Sequence, residues 1–158
     1  MRSTLFFTFL LILFSACNRD NCSVDVNTNV DQTQLAADIA AIDFYLQANG
    51  IQAQEHPSGL RYVIQDPGDG NKVSLCDNVI VDYRGTLIDG TQFDASSRPI
   101  AFSLRGLIEG WKIGIPLIRE RGSVTLYIPS VYGYGENGTS SIPSNANLIF
   151  DIDLYVIQ

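Results

Sequence analysis

Apolar and polar positions change their period several times along the chain. Leu5 to Phe14 is apolar except for Thr8, with Arg2 before it and the small residues of FSAC after it. The run is about half of the ~20 residues that cross a bilayer as a helix, so the pattern is that of a secretion signal and not of a retained span. Asn18 to Val30 is polar and has no apolar period, which predicts a mobile tether. Asp31 then stands where a helix cap is wanted, and Leu35, Ile39, Ile42 and Leu46 follow at three- and four-residue spacing, with Gly50 just beyond. These mark an amphipathic helix that rests on the domain or on a second copy of itself and carries no chemistry.

From Leu60 the period becomes two. Leu60, Tyr62 and Ile64 alternate before PGDG, Val79, Val81 and Tyr83 before Asp89-Gly90, Val124, Leu126 and Ile128 before Pro129, and Leu148, Phe150, Ile152, Leu154 and Val156 at the end. Each group predicts a strand, and the two turn segments predict antiparallel neighbours. Asp151 and Asp153 interleave with the last group, so one sheet face meets solvent and the other a core. Between the strands, LIEGWKIGI leaves room for a single short helix closed by Pro116. The expected fold is α+β: an antiparallel, curved β-sheet, or half-barrel, wrapped around one short α-helix, with an N-terminal amphipathic helix as an extension. The domain limits that follow are 1–16 for the signal, 17–30 for the tether, 31–58 for the helix and linker, and 59–158 for the main domain.

Composition narrows the function. The 158 residues suit one domain, and 10 Lys and Arg against 17 Asp and Glu give a net charge of −7, which repels phosphate backbones. Nucleic acid is therefore not an expected partner. One histidine and three scattered cysteines provide no metal-ligand cluster and no catalytic triad, so neither metal nor cofactor is expected.

The N-terminal stretch resembles a bacterial lipoprotein signal, which implies cleavage before Cys17 and a lipid on that residue. An exported lipoprotein anchored to a membrane, facing the periplasm or the cell exterior, is the expected form. Export also places Cys22 and Cys76 where a disulfide persists, and the two cysteines either pair or stay as free thiols.

Four blocks of the strand region carry a further likeness: VDYRGTLIDGTQFD from Val81, LIEGW from Leu107, LYIPSVYGYG from Leu126 and IPSNANLIFDIDL from Ile142. In this order they resemble the FKBP-type peptidyl-prolyl cis-trans isomerases, from about Gly59 to Gln158. The preceding helix with SGLRYVI is similar to the extension on exported bacterial members. The resemblance implies a shallow apolar pocket between sheet and short helix. Its catalytic residues would be Tyr83, Phe93, Asp94, Trp111, Tyr134 and Phe150, with Phe102, Leu107, Ile108 and Ile142 binding substrate. Trp111 would form the floor, the Ile108 N–H and the Tyr134 hydroxyl would hold carbonyls, and Asp94 would order Tyr83.

The implied partners are proline-containing polypeptides and macrolide inhibitors. Singly, most of these residues also fit a core, and Asp94 beside Ser96 and Ser97 fits a turn; it is their joint order that points to a site. Ile100, Gly133 and Ser144 depart from the family's usual residues, and only Arg98 lies near the position of its rim arginine. A non-catalytic chaperone or peptide-binding lipoprotein and a glycan-binding β module are the rival classes.

Overall fold

The computed structural model describes residues 23–158. The signal segment 1–16, the lipidation residue Cys17 and Cys22 lie outside the described residues. Helix α1 spans Gln32–Ala48, and the Asp31 carboxylate caps it by accepting from the N–H groups of Thr33 and Gln34 at 2.7 and 3.0 Å. The strands are β1 (Gln54–Glu55), β2 (Arg61–Asp66), β3 (Asn78–Leu87), β4 (Gln92–Ala95), β5 (Ile100–Ser103), β6 (Ser123–Ile128) and β7 (Leu148–Ile157). Helix α2, Glu109–Gly114, runs into a 3-10 turn at Ile115–Leu117 that contains Pro116.

All seven strands join one antiparallel sheet in the order β1-β2-β6-β7-β3-β4, and β5 pairs with the other end of β3. The fold class is the expected one. Asp89-Gly90 makes the β3–β4 hairpin, but the PGDG segment does not join neighbours, because β6 and β7 lie between β2 and β3. The two central strands come from the C-terminal half, so turn chemistry at Pro67–Gly70 belongs to a connection that passes over β6 and β7 and not to a hairpin.

Alternation sorts the side chains onto two faces. Val124, Leu126, Ile128, Leu148, Phe150, Ile152 and Leu154 enter the main core with α2, whereas Tyr127 and Ile149 point to the opposite face. Val156 leaves the pattern. The pairing with β3 shifts between Ile80–Val156 and Val81–Leu154, and beyond this bulge Val156 is 42% exposed. On the second face α1 covers Tyr127 and Ile149 with Ile42 and Leu46, while it gives Leu35 to the main core. That face is thus apolar under the helix and polar only around Thr125, Asp151 and Asp153, so solvent meets just part of it.

Helix α1 is held by charge as well. Arg61 on β2, itself buried, forms a two-pronged pair with Asp43 at 2.9 and 3.0 Å and a further bond to Glu55 at 3.2 Å. A boundary drawn between residues 58 and 59 therefore cuts through shared core and ion pairs. The expected tether also differs from residue 23 on. Val26 and Val30 pack against the main core, and the Asn27 N–H donates to Glu109 at the start of α2 at 2.9 Å. Two valines in an otherwise polar run are enough to lay it down on the domain.

Helix α2 sits close to β6 because two of its positions lack side chains. A Cβ on Gly110 would run into Ile128, and one on Gly114 into Leu126. Gly114→Ala is expected to destabilise the fold by about 1–3 kcal/mol through overpacking, exceeding the ~1 kcal/mol that Ala gains in helix propensity. Gly106→Ala, which meets open space, should stay within about 0.5 kcal/mol. Urea unfolding of both variants checks this, and equal stabilities would show that α2 has room to move.

Candidate functional site

Between α2, β3, β5, β7 and the loop after β6 lies a cavity of about 130 Å³, lined by Tyr83, Asp94, Phe102, Leu107, Ile108, Trp111, Tyr134 and Phe150. The seat of α2 on β6 sets its floor. Trp111 on α2 is 4% exposed and is met edge-on by Phe150 at 5.2 Å, Tyr83 at 5.3 Å and Phe102 at 6.0 Å between ring centres. Such perpendicular contacts suit the ring quadrupoles. The indole Nε1 is buried without a hydrogen-bond acceptor among the described residues.

Gly85 on β3 makes the wall possible. A Cβ there would come within 2.7 Å of Phe93 and 2.8 Å of Phe150, so the bare strand lets both rings lie across it. Phe93 on β4 then backs Phe150 at 5.4 Å and 83°. It supports the wall and does not line the cavity. Ile142 likewise stays out of the lining. It is 4% exposed in the main core, where a turn closed by the Thr139 N–H on its carbonyl, at 2.8 Å, folds it inward.

The polar groups sit on the rim. The Tyr83 hydroxyl donates to Asp94 Oδ2 at 2.7 Å, and the other Asp94 oxygen accepts the Ala95 N–H at 2.9 Å. Burial first, and then the bond to Asp94 and its charge, push the Tyr83 hydroxyl up to about 12. Burial and the same carboxylate raise Tyr134 as well. Ile108 caps α2: its carbonyl accepts from Trp111 and Lys112 at 3.0 and 3.3 Å, while its own N–H makes no hydrogen bond among the described residues. The Tyr134 hydroxyl feels the Asp94 charge but makes no hydrogen bond among the described residues.

Two further residues, Ser96 and Gly85, support the rim and the wall. Ser96 accepts the Tyr83 N–H at 2.8 Å and donates to Asp82 at 2.9 Å, anchoring the strand beneath the ring. Gly85 carried a signal, a lone glycine inside a strand, which marks close approach. Ile100, 44% exposed, and Arg98 lie beside a neighbouring hollow that shares only Tyr83 with the cavity.

Cys76 is disulfide-bonded. The expected partner, Cys22, lies outside the described residues. Among the described residues no group of three or more His, Cys, Asp or Glu could hold a metal, and no helix is long and apolar enough to cross a membrane.

The profile of the FKBP-type peptidyl-prolyl cis-trans isomerases matches residues 70–155. The isomerase FkpA of Aeromonas hydrophila is 41% identical over 121 residues, covering 72% of this chain and 44% of that protein. FkpA of Escherichia coli K12 is 41% identical over 104 residues, covering 64% and 38%. The chain thus spans less than half the length of these curated relatives. The crystal structure of Escherichia coli FkpA superimposes with a TM-score of 0.70 at 32% identity, over 80% of this chain and 64% of that one. A peptidyl-prolyl cis-trans isomerase from Pseudomonas syringae pv. tomato gives 0.69 at 28%, over 78% and 95%.

The raised hydroxyl has a sign that can be tested. Its folded value lies above the ordinary value of about 10, so the Tyr83–Asp94 bond contributes stability in full below pH 10 and loses it as pH rises through about 12. Ultraviolet titration of phenolate should show Tyr83 and, through the same carboxylate, Tyr134 moving toward the ordinary value in Asp94→Asn, with Tyr127, also held up to about 12, unmoved. An unchanged titration would mean that burial alone sets the hydroxyl.

Proposed function

The chain belongs to the FKBP-type peptidyl-prolyl cis-trans isomerase family, and we propose that it accelerates rotation about X-Pro bonds in exported polypeptides. The observation that carries this is the cavity itself: a floor and wall of four aromatic rings with two open hydrogen-bond donors, Ile108 N–H and Tyr134 hydroxyl, at its edge. Rotation of an amide has a barrier of ~18–20 kcal/mol because resonance is lost at the twisted midpoint. The planar amide carries more separated charge than the twisted one, so a dry, apolar enclosure disfavours the planar form relative to the twisted form.

Trp111, Phe150 and Tyr83 would enclose the proline ring and exclude water. The reaction makes and breaks no covalent bond, so the residues act by binding the twisted amide more tightly than the planar one. The Ile108 N–H and the Tyr134 hydroxyl would hold the carbonyls on either side, and Asp94 keeps the Tyr83 ring and hydroxyl in place. Phe93 serves as the backing of Phe150, and Ile142 as the inner brace of the loop. Macrolides that present a proline-like ring fit the same enclosure as inhibitors.

An exported lipoprotein, lipidated at Cys17 and anchored by that lipid to a membrane on the periplasmic or outer side, fits the N-terminal pattern. A Cys22–Cys76 disulfide fits the oxidising compartment and the disulfide-bonded state of Cys76.

The chain has one tryptophan, so its fluorescence reports on the cavity floor alone. A proline peptide should change Trp111 emission saturably and accelerate in a coupled isomerisation assay, and a macrolide should compete in both. Asp94→Ala should lower kcat/KM about tenfold, the worth of one hydrogen bond to a charged group. Peptide binding without faster isomerisation, together with suppressed aggregation of unfolded clients, would transfer the function to the chaperone class.

A further inference from the structure

The mechanism makes no use of a carboxylate that α1 buries. Asp38 is 3% exposed and lies on the face of the helix that meets the domain, between Leu35 and Ile42. A carboxylate in that position is costly unless its oxygens are satisfied, and here they are. Oδ1 accepts from Gln34 Nε2 at 2.8 Å, while Oδ2 accepts from the Ser130 hydroxyl at 2.7 Å and from the Val131 N–H at 3.4 Å.

Ser130 and Asn147 begin and end the connection between β6 and β7, and they are tied to each other by the Ser130 N–H on Asn147 Oδ1 at 3.0 Å. Asn147 Nδ2 in turn donates to the Asp38 main-chain carbonyl at 3.3 Å. One helical residue thus grips both ends of the loop that carries Tyr134. The next residue inward, Tyr132, is 1% exposed and donates its hydroxyl to the Ser58 carbonyl at 3.0 Å, which fixes the chain two residues before Tyr134.

We propose that Asp38 is a positioning residue for the cavity, clamping the β6–β7 loop so that Tyr134 stands at the rim in its binding geometry. The inference rests on the cavity being the place where the proline peptide binds. It makes α1 a working part of the isomerase unit. Asp38 touches no substrate, and its contribution passes through Ser130 and the loop.

The test uses the whole chain and four variants: Asp38→Ala, Asp38→Asn, Ser130→Ala and the double variant Asp38→Ala with Ser130→Ala. Asp38→Ala should raise KM for a proline peptide about tenfold, the loss of a charge-assisted hydrogen bond, with kcat changed less. Asp38→Asn keeps an acceptor for Ser130 and should recover most of that loss. The double variant should be no worse than Asp38→Ala, since both changes sever one link.

Amide hydrogen exchange, read without any substrate, should quicken across 130–138 in Asp38→Ala and stay slow in β3 and β7. If the unaltered chain fails to isomerise the peptide, the functional reading falls while the exchange result still decides the clamp. Unchanged KM with unchanged loop exchange would overturn the proposal. So would additive losses in the double variant, or exchange that quickens equally throughout the sheet. Should Asp38→Ala not fold, Ser130→Ala carries the same comparison of loop against sheet.

Discussion

The distance between α2 and β6 sets everything that the cavity can do. A curled sheet with one short helix in its concavity has little apolar mass to bury, and the helix can contribute only if it comes near. Gly110 and Gly114 allow that approach by offering bare backbone to Ile128 and Leu126. Trp111, on the same helix, is then brought among the rings of β3, β5 and β7, at centre distances of 5.2–6.0 Å. The indole N–H loses its access to water as a result and finds no acceptor among the described residues. An orphaned donor costs roughly 1–3 kcal/mol, and its retention at the floor is understandable where a broad, rigid, dry surface is what the site has to present.

The rim follows a different rule. Where the floor excludes polar partners, the edge collects them, and it does so with very few charges. Asp94 is the sole carboxylate in the lining, and it is committed to the Tyr83 hydroxyl and to its neighbour's N–H. Burial first, and then the Asp94 charge, raise both the Tyr83 and the Tyr134 hydroxyl above the ordinary tyrosine value, so each tyrosine acts as a neutral hydrogen-bonding group at neutral pH. A rim of neutral donors and one committed carboxylate around an apolar floor suits the proposed task of holding an amide while it turns.

Much of this was legible in the chain because period and turn residues speak locally. The period of two gives the strands, Asp31 and Gly50 bracket α1, and Asp89-Gly90 sits in its hairpin. Sheet order was not legible, since the pairing of β2 with β6 and of β3 with β7 joins segments roughly sixty to eighty residues apart and depends on the whole core. That is why PGDG reads as a hairpin and is a crossing. Val156 follows the alternation in sequence but not in space, because one bulge resets the faces. The ring cluster could be named from block order alone, yet Phe93 and Phe150, similar as letters, take different places. The bare backbone at Gly85 makes room for both rings, and their places follow from the strands that carry them: Phe150 on β7 lines the cavity, and Phe93 on β4 lies behind it.

Asp38 shows the same limit from the other side. In the sequence it interrupts an apolar stripe without altering the helical period, and a helix so patterned reads as packing surface. Leu at that position would also bury well, and would lose less solvation on folding. A carboxylate is useful there for its directionality: it accepts from the Ser130 hydroxyl and the Val131 N–H and allows few alternative registers, whereas apolar contacts tolerate sliding. The Arg61–Asp43 pair sets the helix against β2 in the same directional manner. With both ends of the contact specified by charge, α1 transmits its position to a loop whose residues lie more than ninety places further along the chain. The extension and the sheet domain are thereby joined in one folded unit.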